Sequence, residues 1–275
     1  MILLLILEFI LISSDMMRWQ PPIFQFYAIV LIYTIKPKYF KYYLIVLLSA
    51  TYFYSGLNKI NLRFINFIWA KSILIDLFGF SSDFAFSKLV KALGFILPII
   101  ELFAGLLILS KYRKIGFFTV IGIHVFILLY ISPLGLNINS AVWSWNIIMI
   151  FYALAFLKQN TIDKPKFKIV EKSWVVLLYV LPILNLFEYY YPYFAFDLYS
   201  GSRYYLYVKT TSPDETDVST LNIDNWSRKN LNVPFTHSHF LFKRFIKSYS
   251  KTYPNSNALF EISCYPFKTR EKYSG

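Results

Sequence analysis

The chain has 275 residues, 57% of them hydrophobic and 21% aromatic, with a mean hydropathy of +0.48, which is too apolar for an ordinary soluble domain and points to the lipid bilayer. A formal charge of +13 argues for nucleic acid only if it forms one basic face, whereas here Lys and Arg sit in short loops between apolar runs, as orientation signals do. The single cysteine, Cys264, excludes an intramolecular disulfide, a CxxC redox pair and a thiolate metal cluster, and hydrolase, zinc-peptidase and nucleotide chemistry lack their motifs: no Gly-x-Ser-x-Gly, no HExxH, no glycine-rich phosphate loop.

Residues 1–14 are apolar but carry Glu8 and lack the basic start of a signal peptide. A full crossing needs about 20 residues, so this stretch reads as the end of a membrane helix whose beginning is missing. Asp15 and Arg18, one turn apart before Gln20–Pro21–Pro22, read as an interfacial ion pair capping the next helix. Further apolar runs cover 23–35, 42–57, 92–109, 115–133, 141–157 and 174–187, and flanking aromatics and lysines lengthen the shorter ones. Residues 64–80 are apolar but interrupted by Lys71 and Asp76, the pattern of an interfacial or re-entrant helix. The expected fold is therefore an all-helical multi-pass membrane bundle over residues 1–188, six full spans plus a partial first one.

Charge alternates along the loops. Lys36, Lys38 and Lys41 fill the first, Lys111, Arg113 and Lys114 the third, and Lys158, Lys164, Lys166, Lys168 and Lys172 the fifth. The second mixes Lys59 and Arg63 with Asp76 and Asp83, and 133–140 is uncharged. The positive-inside rule puts the first, third and fifth loops in the cytoplasm, and Lys59 and everything after about Glu188 outside. Residues 189–275 are polar enough for a small extracytoplasmic α+β tail. Within it 204–209 reads as a strand, 214–224 as a loop, 237–253 as an amphipathic helix with Leu241, Phe242, Phe245 and Tyr249 on one side, and 258–265 as a second strand. Such a tail is small for a core of its own and is expected to pack on the bundle mouth or on a protein partner.

Ionisable groups within spans are costly and are candidates for function. Lys59 ends one apolar run, Glu101 lies in the middle of another and His124 in the middle of the next. Counted from the turn near Tyr112, Glu101 and His124 both lie about 17 Å away at ~1.5 Å per residue, so the two sit at matched depth and could share a proton if their faces match. Each also has a structural reading: Lys59 as an anchor reaching for water, His124 as an interhelix hydrogen bond, Glu101 as a neutral or paired carboxyl. Trp143–Ser144–Trp145–Asn146 fits an aromatic belt, with Asn146 free to bond inside the bundle. His237 and His239 make no metal site without further ligands.

The segment Tyr52–Phe53–Tyr54–Ser55–Gly56–Leu57–Asn58–Lys59–Ile60–Asn61 resembles the Tyr-Phe-x-x-Gly-x-x-Lys-[Leu/Ile]-[Asp/Asn] motif of the HTTM family, the transmembrane domain of vitamin K-dependent γ-carboxylase and its bacterial relatives. Glu101–Leu102–Phe103–Ala104–Gly105 is similar to that family's acid-Leu-x-Ala-Gly helix, and Arg113–Lys114–Ile115–Gly116–Phe117–Phe118 with His124 to its Arg-x-Ile-Gly-Phe-Phe stretch and following histidine. Asp15–Arg18–Gln20–Pro21 and Leu198–Tyr199–Ser200–Gly201 match weaker signatures of the bacterial members. The resemblance implies a bacterial cytoplasmic membrane, a catalytic base at Lys59 acting on a hydroquinone, and Glu101 and His124 shaping the cavity or relaying protons. Asn58–Lys59 stands where the family pairs two lysines, and a short tail stands where the carboxylase has its large lumenal region. What carries over is a quinone- or lipid-sized pocket rather than peptide carboxylation. Whether the chain is an enzyme stays open: the alternatives are a redox or quinone/lipid enzyme with Lys59 as base, a non-catalytic subunit whose tail docks a partner, and a small transporter.

Overall fold

The computed structural model describes residues 2–14, 21–159, 161–166, 168–187, 189–197, 199–200, 204–211, 218–231, 235, 239–254, 258–264 and 269–274. The Asp15–Arg18 pair and His237 lie outside these residues. The described chain is mostly helical, with one small antiparallel sheet.

After α1 (Ile2–Ser14) comes a hairpin of α2 (Pro21–Ile35) and α3 (Phe40–Lys59). α3 is the axis of the bundle: every residue from 43 to 52 is buried. A helix covered by protein on all sides has no lipid to match, which explains how α3 accommodates Ser49, Thr51, Tyr52, Ser55, Asn58 and Lys59. Its main partner is α6 (Ile96–Leu109), which continues a helical path begun by α4 (Ser82–Ala85) and α5 (Lys88–Leu93). Two glycines set the crossing. A Cβ on Gly56 would fall 2.4 Å from Leu102 N and 2.6 Å from Pro98 O, and one on Gly105 would fall 2.5 Å from Phe53 N. Only the missing side chains let the two backbones touch, as small residues do between membrane helices. The Ser49 hydroxyl then donates to Gly105 O at 2.6 Å and accepts from Tyr179 Oη at 2.8 Å. Gly116 repeats the device where α7 (Arg113–Ile131) meets α6, and α8 (Trp143–Leu157) packs on α7.

Among the described residues three helices, rather than all six expected, are long and apolar enough to cross a membrane: Lys88–Leu109, Arg113–Ile131 and Ile169–Phe187, the last beginning as α9 (Ile169–Val175). α2 and α8 are apolar but have 15 residues each, about 22 Å of helix. α3 has 20 residues and falls short in apolarity because of its buried polar face. The outer surface of the bundle exposes large apolar side chains, including Phe103 (54%), Phe118 (64%) and Phe151 (66%), a surface compatible with a membrane location.

The three basic loops lie at one end. Lys41 Nζ donates to Gln159 Oε1 at 3.0 Å and Arg113 Nη2 to Gln159 O at 3.3 Å, so the starts of α3 and α7 meet the chain leaving α8. At the opposite end α3 stops at Lys59, and Asn61 organises the turn into the next helix. Its side-chain oxygen accepts from the Arg63 and Phe64 N–H groups at 2.9 Å each, and its amide donates to Asn58 O and Ser200 O. The helix thus started, Phe64–Leu77, is wound in the wide π form over 14 residues. Of residues 64–80, expected as an interfacial or re-entrant helix, 64–77 form this helix, with Lys71 and Asp76 exposed. Ser72 Oγ meets Tyr130 Oη at 2.6 Å and the Trp69 indole donates to Val90 O at 2.8 Å.

The tail is a four-stranded antiparallel sheet in the order β2-β1-β3-β4, with β1 Tyr204–Thr211, β2 Val218–Asn222, β3 Leu259–Cys264 and β4 Thr269–Ser274. Two helices accompany it, α10 (Ile223–Leu231) and α11 (His239–Thr252). The two strands and the helix expected here are present. The expected loop 214–224 is not one throughout: 218–222 pairs with β1, and Ile223 opens a helix. β-branched Val218 and Thr220 favour the strand, and the Asn222 side chain accepts from the Asp224 and Asn225 N–H groups to start α10. Leu206, Phe242, Ile246, Phe260 and Ile262 give the tail a core of its own. It also meets the bundle mouth, where the Arg63 guanidinium lies 3.7 Å from the centre of the Tyr205 ring.

Candidate functional site

The α3 face carrying Ser49, Tyr52, Gly56 and Lys59 advances by three or four residues at each step, so these side chains share one stripe. Gly56 brings α6 close, and one further turn brings Lys59 against Glu101. Lys59 Nζ lies 2.6 Å from Glu101 Oε2 and 2.9 Å from Oε1, and it donates to Ser55 Oγ, one turn back, at 2.7 Å. Both residues are 8% exposed. A carboxylate and an ammonium removed from water need each other: the cost of stripping hydration from either alone is several kcal/mol.

This ion pair lies in the wall of a cavity of about 380 Å³, within the size range of small-ligand sites. The remaining wall is largely apolar, with Phe64, Leu97, Ile123, Phe126 and Ile127 prominent. Gly122 also lines it, and a Cβ there would meet nothing within 4 Å. Tyr199 is also part of the lining. Its φ of 56° is left-handed, as is that of Phe196 at 55°, a conformation that costs a bulky residue about 1–3 kcal/mol unless its surroundings hold it. The holding contacts are visible: the Asn139 amide donates to Tyr199 Oη, Asn58 to Ala195 O at 2.9 Å, and Asn61 to Ser200 O at 2.9 Å. Burial raises the Tyr199 phenol well above its ordinary range, with the Arg228 charge pulling the other way, so the group remains a hydroxyl.

His124 is occupied elsewhere. Its Nε2 meets Tyr52 Oη at 2.7 Å, its Nδ1 meets Asn146 Oδ1 at 2.6 Å, and the Asn146 amide donates to Val142 O at 2.8 Å. Matched depth with Glu101 does not become contact: α7 turns His124 toward α3 and α8, while α6 turns Glu101 toward the end of α3. Of the three sequence candidates, Lys59 and Glu101 come together at the cavity and His124 belongs to a neighbouring interhelix chain. Asn146 does bond inside the bundle. Ser55 and Gly122 were not singled out for roles of their own. The i,i+4 spacing of Ser55 to Lys59 was the signal for the first, and the second carries none. Among the described residues no three His, Cys, Asp or Glu side chains gather as metal ligands.

The chain matches no family model, no curated protein and no solved structure.

Proposed function

We propose that this chain is a multi-pass membrane protein of the HTTM type that binds a quinone-like or similarly lipid-soluble ring compound beside Lys59 and moves a proton to or from it. One observation carries this: a buried Lys–Glu pair in the wall of an otherwise apolar, ligand-sized cavity. An apolar wall suits a ring or prenyl tail, and one polar end suits a hydroxyl or carbonyl oxygen.

An ammonium held by a carboxylate is not itself a base. Passing one proton from Lys59 Nζ to Glu101 Oε2, 2.6 Å away, leaves an amine and a carboxylic acid, both neutral. The amine lone pair then accepts the hydroxyl proton of a hydroquinone, giving its anion next to the re-formed ammonium. Glu101 thus sets the proton inventory of the site, Ser55 aims Nζ, and His124 with Tyr52 and Asn146 holds α3, α7 and α8 in register. Six crossings remain the preferred topology, since short α2 and α8 can be met by local thinning of the bilayer. The gathering of basic loops at one end supports placing that end in the cytoplasm of a bacterial cell, with the cavity and tail on the outer side.

The test is calorimetric titration of the purified protein in detergent with a short-tailed naphthoquinone. Saturable binding is expected for the wild type, and a loss of about tenfold or more for Gly122→Leu, which adds bulk to the lining at a position where a Cβ meets nothing within 4 Å. Binding that is absent, or equal in both proteins, overturns the proposal. Loss of co-purifying proteins on deleting the tail would then favour the non-catalytic subunit.

A further inference from the structure

A second concave site lies at the opposite, basic end of the bundle, between α2 and the helix that starts at Ile169. This groove has a volume of about 430 Å³ and is walled by Leu31, Ile32, Ile35 and Leu177, with Lys36 at its rim and Trp174 inside. The Trp174 Nε1 is buried and has no hydrogen-bond partner among the described residues. Leaving such a donor unmade costs about 1–3 kcal/mol, so it points to an acceptor supplied from outside the chain. The nearby acid does not compete: Glu171 is 3% exposed, and it accepts from Tyr43 Oη at 2.6 Å and from the Lys168 N–H at 2.9 Å. Lys38, Lys168 and Lys172 flank the same end in sequence, so the potential around the rim is positive.

An apolar trough, a cationic rim and one spare N–H donor fit a molecule with a long apolar chain and an anionic, oxygen-rich head. We infer that this groove is a specific site for an anionic phospholipid, its acyl chain along Leu31, Ile35 and Leu177 and its phosphate or ester oxygens at Lys36 Nζ and Trp174 Nε1. Basic pockets between membrane helices hold such headgroups by this combination. The inference rests on the membrane reading of the bundle and is independent of the cavity at Lys59.

The experiment reads the tryptophan fluorescence of the full chain in nanodiscs, with bromine on the acyl chains of one lipid at a time. The Trp174 component is the difference between wild type and Trp174→Phe. At equal mole fraction, brominated phosphatidylglycerol is expected to quench that component more than brominated phosphatidylcholine. Lys36→Gln, a change at a partly exposed side chain, is expected to abolish the excess, and added inorganic phosphate to leave it unchanged. Equal quenching by the two lipids, an excess that survives Lys36→Gln, or relief by inorganic phosphate overturns the site while leaving the membrane reading intact. Failure of either lipid to quench any tryptophan overturns both.

Discussion

Replacing Glu101 by glutamine removes the charge that Lys59 Nζ approaches at 2.6 and 2.9 Å, leaving the ammonium with the Ser55 hydroxyl at 2.7 Å. Lys59 is 8% exposed, so water does not replace what is lost. Breaking a buried pair from one side costs about 3–5 kcal/mol. Lys59→Met, which strands the carboxylate, falls in the same range. The double variant Lys59→Met/Glu101→Leu strands nothing and fills similar volume, and such replacements are neutral or stabilising by about 1–4 kcal/mol. The two single changes are therefore strongly non-additive, and the double mutant is more stable than either. Reversible unfolding in mixed micelles of rising sodium dodecyl sulfate measures all four proteins. Single-variant losses under about 1 kcal/mol that simply add would be the signature of a solvated pair and would refute the buried geometry.

The packing of the helices carries two further outcomes. Gly56→Ala drives a Cβ to 2.4 Å from Leu102 N, a backbone atom that cannot swing aside; the same unfolding assay should show a loss of about 1–3 kcal/mol, whereas Gly122→Ala, in open space, should be neutral or gain up to ~1 kcal/mol from helix propensity. His124→Leu orphans Tyr52 Oη and Asn146 Oδ1 at about 1–3 kcal/mol each, yet leaves naphthoquinone affinity unchanged in the calorimeter because His124 does not line the cavity.

Lys59 was legible in sequence because an apolar run ends on it, and α3 does end there. Glu101 and His124 were legible as costly intramembrane groups. Their partners were not, because a linear count gives depth along a helix while the crossing of α3 and α6 decides the face. The clue to that crossing was present as two glycines, Gly56 and Gly105, but a glycine in a helix does not say which backbone it admits. The number of long apolar helices was overestimated because α2 and α8 stop at 15 residues each and because α3 is shielded by protein, so its polar content lowers its hydropathy without exposing it. The π winding of 64–77 left no mark in composition. In the tail, short β2 and α10 fell inside a polar stretch whose charged residues, Asp214, Glu215 and Asp217, suggested a loop before Val218 began to pair. The α2–α9 groove depends on two segments far apart in the chain, which no local pattern reports.

A lipid-soluble ring bound against Lys59 inside the bundle would lie within reach of side chains of α6 and α7. Photolysis of the purified protein with an azido-naphthoquinone, followed by residue-level mass spectrometry, tests it most directly. The label is expected on Ile123, Phe126 and Ile127 of α7 and on Leu97 of α6, with loss of labelling when unmodified naphthoquinone is added or in Gly122→Leu. Labelling confined to the outward-facing Phe103, Phe118 and Phe151, and indifferent to the competitor, would contradict it.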